Sequence, residues 1–412
     1  MVISRIIEKK DEAAKYMVKE ITHICRSFEK RPPGSLGEKQ ACEYMADVLK
    51  NDCGCERVEV EPFELSPGAF YGWLYITMTL AIAAVPVYFF YPLISAIMIA
   101  FGLFVVIMQF GIYKKFIDFL FPKSTGHNVT AIKSCTGEVK RRIIFNGHPD
   151  AAWEWPVNYK LGGVGFEGHA VICGIGAGYY LVISILSFIQ NGFSGGTDTS
   201  STLGKLGLWG ILFVPFFIGL YFMRNKNRVV DGANDNLSGC YMGIAILKAM
   251  KEEGIELENT EVGVVLTGAE EAGLRGAKAW TEKHKDEFSD VPTFVYSFDT
   301  IHDPKHLMVN YRDLNSSVKS DKDASDLFRE AAKELGIPCK KGFVPPLGGA
   351  TDAAAFAQAG MRATGITGLN HNLEPYYHTR RDTYDNMNLE GLANCYAVAT
   401  RVLEMFDGGA KQ

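Results

Sequence analysis

No part of this 412-residue chain is basic enough to mark it as a nucleic-acid binder. Its 42 Lys and Arg are outnumbered by 47 Asp and Glu, for a net charge of -5. A disulfide framework is also lacking. The nine cysteines (Cys25, Cys42, Cys53, Cys55, Cys135, Cys173, Cys240, Cys339 and Cys395) are odd in number and scattered, which predicts reduced thiols in a cytosol-facing domain. Cys53 and Cys55 are too isolated to build a zinc ribbon. The opening MVISRIIEKKDEAAKYMVKE carries charge throughout and has no apolar core of signal-peptide length, so no cleaved export signal is expected. The most informative absence is local. Tyr71 to Phe110 contains no Asp, Glu, Lys, Arg or His, about twice the roughly 20 residues that cross a bilayer.

That stretch reads as two spans, with Pro86 and Pro92 near its middle and a tight turn around Phe89 to Pro92. A second pair is read at Ala170 to Ile189 and about Leu206 to Phe222, joined by the polar QNGFSGGTDTSSTLGK. Buried core helices are the plainer alternative, chiefly for the Gly-rich second pair. Lys114, Lys115 and Lys123 follow the first pair and Arg224, Lys226 and Arg228 the second, whereas the hairpin turns hold only Lys205. The positive-inside rule therefore predicts that every long polar segment lies in the cytoplasm. The chain is expected to divide into 1–67, 114–167 and 224–412, which form one polar domain, and two transmembrane hairpins at 68–113 and 168–223.

The polar domain is organised around Thr267 to Ala277, TGAEEAGLRGA. The preceding EVGVVL is apolar like a buried parallel strand, so Glu270 and Glu271 sit where a strand ends, the place at which open α/β sheets keep their sites. Neighbouring side chains leave a strand end in different directions, so one carboxylate is free to bind metal while the other takes a proton from water. Acidic residues before a helix also have a plainer use, stabilising its N-terminus. Further candidates fall at similar places. Lys140 to Asn146 runs as a strand into GHPD, with His148 as a metal ligand and Asp150 fixing its tautomer. Asp235 lies in VVDGANDNLSG before a helix from Ser238 through Met250, Asp299 ends the strand TFVYSF, and His378 lies in EPYYHTRRDTYDNM before a terminal helix from about Leu389 to Met405. Two histidines and three carboxylates are too many for one tetrahedral ion but suit two zinc ions sharing one Asp, with room for a bridging water.

These segments resemble the co-catalytic dizinc aminopeptidase family, the MH-clan zinc exopeptidases related to bacterial leucyl aminopeptidase, glutamate carboxypeptidase and glutaminyl cyclase. The likeness runs from RPPGSLGEKQ to the terminal helix and breaks only at the two hydrophobic pairs. It implies a zinc exopeptidase-like α/β/α sandwich: an α/β fold with a mixed, mostly parallel central sheet flanked by helices, into which two transmembrane hairpins are inserted. It also implies His148, Asp235 and Asp299 around one metal, Asp235, Glu271 and His378 around the other, Glu270 as general base and Asp150 as support to His148. GATD, ending in Asp352, resembles a family turn near the substrate, and Tyr376 and Tyr377 are candidates to support an oxyanion.

The leading expectation is a membrane-anchored aminopeptidase acting on peptides, with two zinc ions, or manganese or cobalt in the same ligands. A carboxypeptidase would need a cationic pocket, for which Arg312, Arg380 and Arg381 are candidates, and a cyclase needs only one functional zinc. Outside the enzymes, a retired peptidase domain serving as a membrane receptor or scaffold is the alternative, and one that would be free to lose Glu270. A transporter is disfavoured because the spans carry almost no charge to mark an ion path.

Overall fold

The structure is a computed structural model that describes residues 3–193, 195–370 and 375–410. Its contacts divide the chain into two compact units, one of Met1–Pro67, Lys123–Trp153 and Arg228–Gln412, the other of Gly68–Pro122 and Glu154–Asn227. The expected segments at 68–113 and 168–223 lie within the second unit, which runs on to Pro122 and begins again at Glu154.

Among the described residues, the first unit is built on ten strands: β1 (Arg57–Leu65), β2 (Ser124–Lys133), β3 (Arg141–Gly147), β4 (Thr260–Thr267), β5 (Thr293–Ile301), β6 (Leu307–Asn310), β7 (Arg312–Asp313), β8 (Val318–Lys319), β9 (Lys340–Gly342) and β10 (Arg362–Gly368). Eight form one sheet in the order β1-β2-β4-β3-β5-β10-β6-β9, and β7 with β8 forms a separate ribbon. The centre is parallel, β4 with β3, β3 with β5 and β5 with β10, while β1, β2 and β6 join it antiparallel. Central strands are covered on both faces, which is why they read as continuous apolar runs: Ile143, Ile144, Val264, Val265, Leu266 and Val295 are fully buried. Helices Lys10–Ser27, Ser238–Glu252, Lys322–Glu334 and Leu389–Asp407 pack together in one layer, and Arg275–His284 and Ala353–Gln358 in another. In the latter, Trp280 meets Phe356 and donates to Thr130 Oγ1 at 2.8 Å.

The helix Leu36–Asn51 starts at a capping box. Ser35 Oγ accepts from Glu38 N–H at 3.2 Å, satisfying an amide that the helix leaves unpaired, and the Glu38 side chain reaches back to accept from Gly34 N–H, just before the cap, at 2.8 Å.

The second unit contains four helices long and apolar enough to cross a membrane by length and composition: Ala69–Phe90, Pro92–Gly111, Pro156–Asn191 and Thr202–Leu220. The first turn falls at Tyr91, inside the expected Phe89 to Pro92. The third helix begins well before the expected Ala170, because Pro156 at its first position starts a helix whose early Lys160 and Glu167 dilute the hydropathy; it bends at Gly162, φ +69°. The fourth runs from Thr202, started by Ser201 Oγ accepting from Gly204 N–H. The hairpins interlock through Tyr88 OH donating to Leu203 O at 2.8 Å and Ser184 Oγ donating to Ser95 Oγ at 3.1 Å. Aromatic side chains gather where the helices meet polar sequence, Trp73 with Phe110, Phe70 with Tyr113 and Trp155 stacked on Phe166, as in an interfacial belt.

Candidate metal centre

The strand ends of the first unit bring the candidate ligands together. β3 ends at Gly147, which has no room for a side chain: a Cβ there would lie 2.5 Å from the backbone nitrogen of Cys240. The strand end therefore meets the start of helix Ser238–Glu252 backbone to backbone, and His148 comes opposite Asp235, Nε2 to Oδ1 3.4 Å. β5 is the parallel neighbour of β3, and its Asp299 Oδ2 lies 4.0 Å from the same Nε2. Contrary to the expectation from TFVYSF, Asp299 does not end that strand: β5 continues to Ile301 through an irregular pairing with β10 and a positive φ of 51° at Thr300. On the other side of Asp235, His378 Nε2 is 3.0 Å from both Asp235 Oδ2 and Glu271 Oε1. The two sets, His148 with Asp235 and Asp299 and Asp235 with Glu271 and His378, each place their donor atoms within 4.8 Å of one another.

The glutamate pair sits on a single turn, Glu270–Ala272, between left-handed residues Ala269 (φ 55°) and Gly273 (φ 93°). Asp150 holds that turn from behind: one oxygen accepts from Glu270 N–H at 3.1 Å, the other from Glu271 N–H at 3.0 Å. Its Oδ1 also lies 3.4 Å from His148 Nδ1, which places the carboxylate beside both the histidine and the glutamate turn. Glu270 Oε2 is 3.8 Å from His148 Nε2.

A cluster this rich in buried acid needs positive charge. Burial, with Asp235 adding, pushes Asp299 up to about 7, and burial raises Glu270 and Glu271 as well. Burial alone would lower His378, but Glu271 and Asp235 hold it up to about 10. Divalent cations would supply that charge in place of protons. His148 Nε2, Asp235 Oδ2 and Glu271 Oε1, the atoms that would receive them, make no hydrogen bond among the described residues. Mixed imidazole and carboxylate donors suit zinc, so the residues fit the metal.

The remaining candidates separate. Tyr377 stacks on His378, ring centroids 4.1 Å apart, and burial together with Asp235, Glu271, Asp299 and Glu270 raises its phenol, which places it beside the acids. Tyr376 is turned into the protein, against the His302 ring at 4.5 Å. Asp352 accepts from Thr267 Oγ1 at 2.6 Å, and Thr267 accepts from Asn146 Nδ2 at 2.8 Å. Arg312, Arg380 and Arg381 are exposed. Glu374, which opens the His378 segment, lies outside the described residues.

Three buried residues hold the site without having been singled out in the sequence. Asp382 accepts from Asn234 N–H (2.8 Å), Asn234 Nδ2 (3.0 Å) and Asp235 N–H (3.2 Å). Arg31 donates to Pro149 O at 2.8 Å, Asp231 O at 2.6 Å and Gly232 O at 3.1 Å, clamping the His148 loop to the Asp235 loop. Glu38 reaches the turn before Glu270. The capping box Ser35-x-x-Glu38 was a legible signal for the last; the others act on backbone groups that no motif records.

Residues 220–403 match the model of peptidase family M28. No curated protein sequence matches. Among solved structures, the chain is similar to a zinc aminopeptidase from Bacillus subtilis at 12% identity, TM-score 0.56, covering 95% of each chain. It is similar to an aminopeptidase from Aneurinibacillus at 15% identity and TM-score 0.55, covering 95% of this chain and 93% of that one. A glutaminyl cyclase from Bacteroides thetaiotaomicron, bound to N-acetylhistamine, is similar at 13% identity and TM-score 0.53, covering 95% and 96%. At these identities the likeness is one of fold.

Proposed function

We propose, from a chain whose residues 220–403 match the model of peptidase family M28, that the protein is a membrane-held dizinc aminopeptidase. The observation that carries the reading is the pair of three-residue ligand sets sharing Asp235, with Glu270 beside them. His148, Asp235 and Asp299 would hold one zinc and Asp235, Glu271 and His378 the other. Zinc bound in such a site lowers the pKa of water and polarises a carbonyl. Glu270 does the proton work: its buried carboxylate takes a proton from the attacking water and delivers it to the leaving amine. Asp150 keeps Glu270 and Glu271 in register by holding their amides, and fixes which nitrogen of His148 faces the site. Tyr377, stacked on His378, would support negative charge on the substrate oxygen.

The aminopeptidase reading is favoured over a carboxypeptidase because Arg312, Arg380 and Arg381, the candidates for a carboxylate pocket, are exposed. The four apolar helices would hold the enzyme in the bilayer, and the Lys and Arg flanking them favour a cytoplasmic peptidase unit. Peptide substrates and lipid are thus the partners; nucleic acid is not.

The test is a digest of a mixed peptide library by detergent-purified protein, with free and acetylated N-termini, read by mass spectrometry beside Glu270→Gln. Release of single N-terminal residues from free peptides only, lost in the variant and on chelation, is the expected result. Cyclisation of N-terminal glutamine without cleavage would move the assignment to a cyclase, and no reaction on any peptide after zinc, manganese or cobalt loading would refute the peptidase reading.

A further inference from the structure

The chain leaves the first apolar pair through KKFIDFLFPK, and this segment does not run away from the helices it follows. It folds back on them. The Phe116 ring meets Phe104 edge to face at 5.3 Å, and Phe104 lies about 10 Å along the helix axis before the end of helix Pro92–Gly111. Further on, the Phe121 ring lies so close to helix Ala69–Phe90 that a Cβ on Gly72 would collide with it. Between these two contacts, the single turn Asp118–Leu120 leaves its apolar side chains outside: Phe119 is 81% exposed and Leu120 58%. The backbone of this exposed apolar turn is nevertheless held as it would be where water is scarce. Gln109, fully buried, accepts from Phe116 N–H at 3.2 Å and Ile117 N–H at 3.3 Å and donates to Asp118 Oδ1 at 3.1 Å. The amides of Ile112, Lys114, Leu120 and Phe121 donate to the carbonyls of Ile107, Met108, Ile117 and Asp118. Irregular backbone at the edge of a bilayer has to pair its amides internally in this way, whereas a loop in water can leave them to solvent. Lys114 and Lys115, exposed at the start of the segment, suit the anionic headgroups of a cytoplasmic leaflet.

We propose that residues 116–121 form an interfacial anchor, a short stretch lying in the boundary between headgroups and acyl chains, with Phe119 and Leu120 inserted among the lipids. The occupant of this apolar face is the bilayer, because the segment is continuous with a span and packs on the flanks of both helices of the pair. Such a face enters the boundary by about 5–10 Å, a depth consistent with the contact at Phe104. Gln109 acts here as a clip: it fixes the segment against the hairpin, so the turn keeps its apolar side chains outward instead of collapsing them onto the helices. The proposal rests on the reading of the apolar helices as membrane spans.

The experiment places the photo-cross-linking residue p-benzoylphenylalanine, one position at a time, at Phe119, at Leu120, at Ile97 on the second apolar helix and at Glu138 in the first unit, all four exposed. The full-length protein is reconstituted into nanodiscs of phosphatidylcholine and phosphatidylglycerol, irradiated, and its adducts are identified by mass spectrometry. Lipid adducts are expected at 119 and 120 in a yield comparable with that at 97, and none at 138. Two positions in the turn guard against one substitution disturbing it. The proposal is overturned if 97 takes lipid while 119 and 120 take none, or if 119 and 120 are joined instead to another part of this chain or to a second copy of it. If 97 takes no lipid either, the reading of the helices as spans fails and the anchor falls with it, so the two failures are told apart by the control.

Discussion

Asp382→Asn tests whether one residue behind Asp235, the ligand proposed to be shared, governs binding of both proposed metals. Asp382 is fully buried and receives three donors, two from Asn234 on Oδ1 and the Asp235 amide on Oδ2. Asparagine has one acceptor oxygen. Its better orientation keeps both Asn234 bonds and turns the NH2 toward Asp235 N–H, leaving a buried amide unpaired at a cost of about 1–3 kcal/mol. The Asp235 backbone must shift to relieve it, and at 1.4 kcal/mol per decade that is roughly 5- to 150-fold in affinity. Because Asp235 Oδ1 faces His148 and Oδ2 faces His378, the weakening is expected for both zinc ions together. His378→Ala touches only one ligand set and is expected to weaken one ion. Chelator competition followed by native mass spectrometry, counting species with zero, one and two zincs, reads the difference. If Asp382→Asn loses only one ion, or binds both as the parent does, then Asp235 is not held through its amide and the reasoning is wrong.

Glu270→Gln is expected to lower kcat by roughly 10²- to 10⁴-fold, the usual worth of a general base, with zinc content unchanged by elemental analysis. Gly147→Ala drives a Cβ into the Gly239–Cys240 backbone, which cannot swing aside as a side chain would; loss of about 1–3 kcal/mol or more is expected in thermal unfolding, with weaker zinc binding. In metal-stripped protein, burial holds Asp299 and Asp352 up to about 7. Between about pH 4 and pH 7 the folded chain keeps protons that the unfolded chain has released, so its stability falls as pH rises through that window. Melting temperatures at pH 5, 6 and 7 check the sign, and zinc added at pH 6 is expected to release protons into a weak buffer.

Legibility followed burial. β3, β4 and β5 are covered on both faces and so announce themselves as apolar runs; His148 and Glu271 follow the first two, and Asp299 lies near the end of the third. β10, equally central, has no such run: RATGITG gives up side chains at Gly365, where a Cβ would lie 2.7 Å from Thr351 Oγ1. The hydrophobic pairs were visible from their missing charge, while the early part of helix Pro156–Asn191 was hidden by Lys160, Glu167 and His169. The supports Arg31 and Asp382 were invisible for another reason. They act on carbonyls and amides, which every residue has, so their partners leave no mark in the sequence.

The interleaving of the two units has a consequence for how the protein is made. β3 pairs with β4 and β5, and β2 with β4, yet β4 and β5 are encoded only after Asn227. When the ribosome has finished His148, the strand it follows has neither neighbour, and the whole Glu154–Asn227 segment must be synthesised before either exists. Domains that fold during synthesis close around contacts already translated. Here the central strand must wait, apolar on both faces, while the whole Glu154–Asn227 segment with its two long apolar helices is made, so the sheet can form only after that segment has emerged.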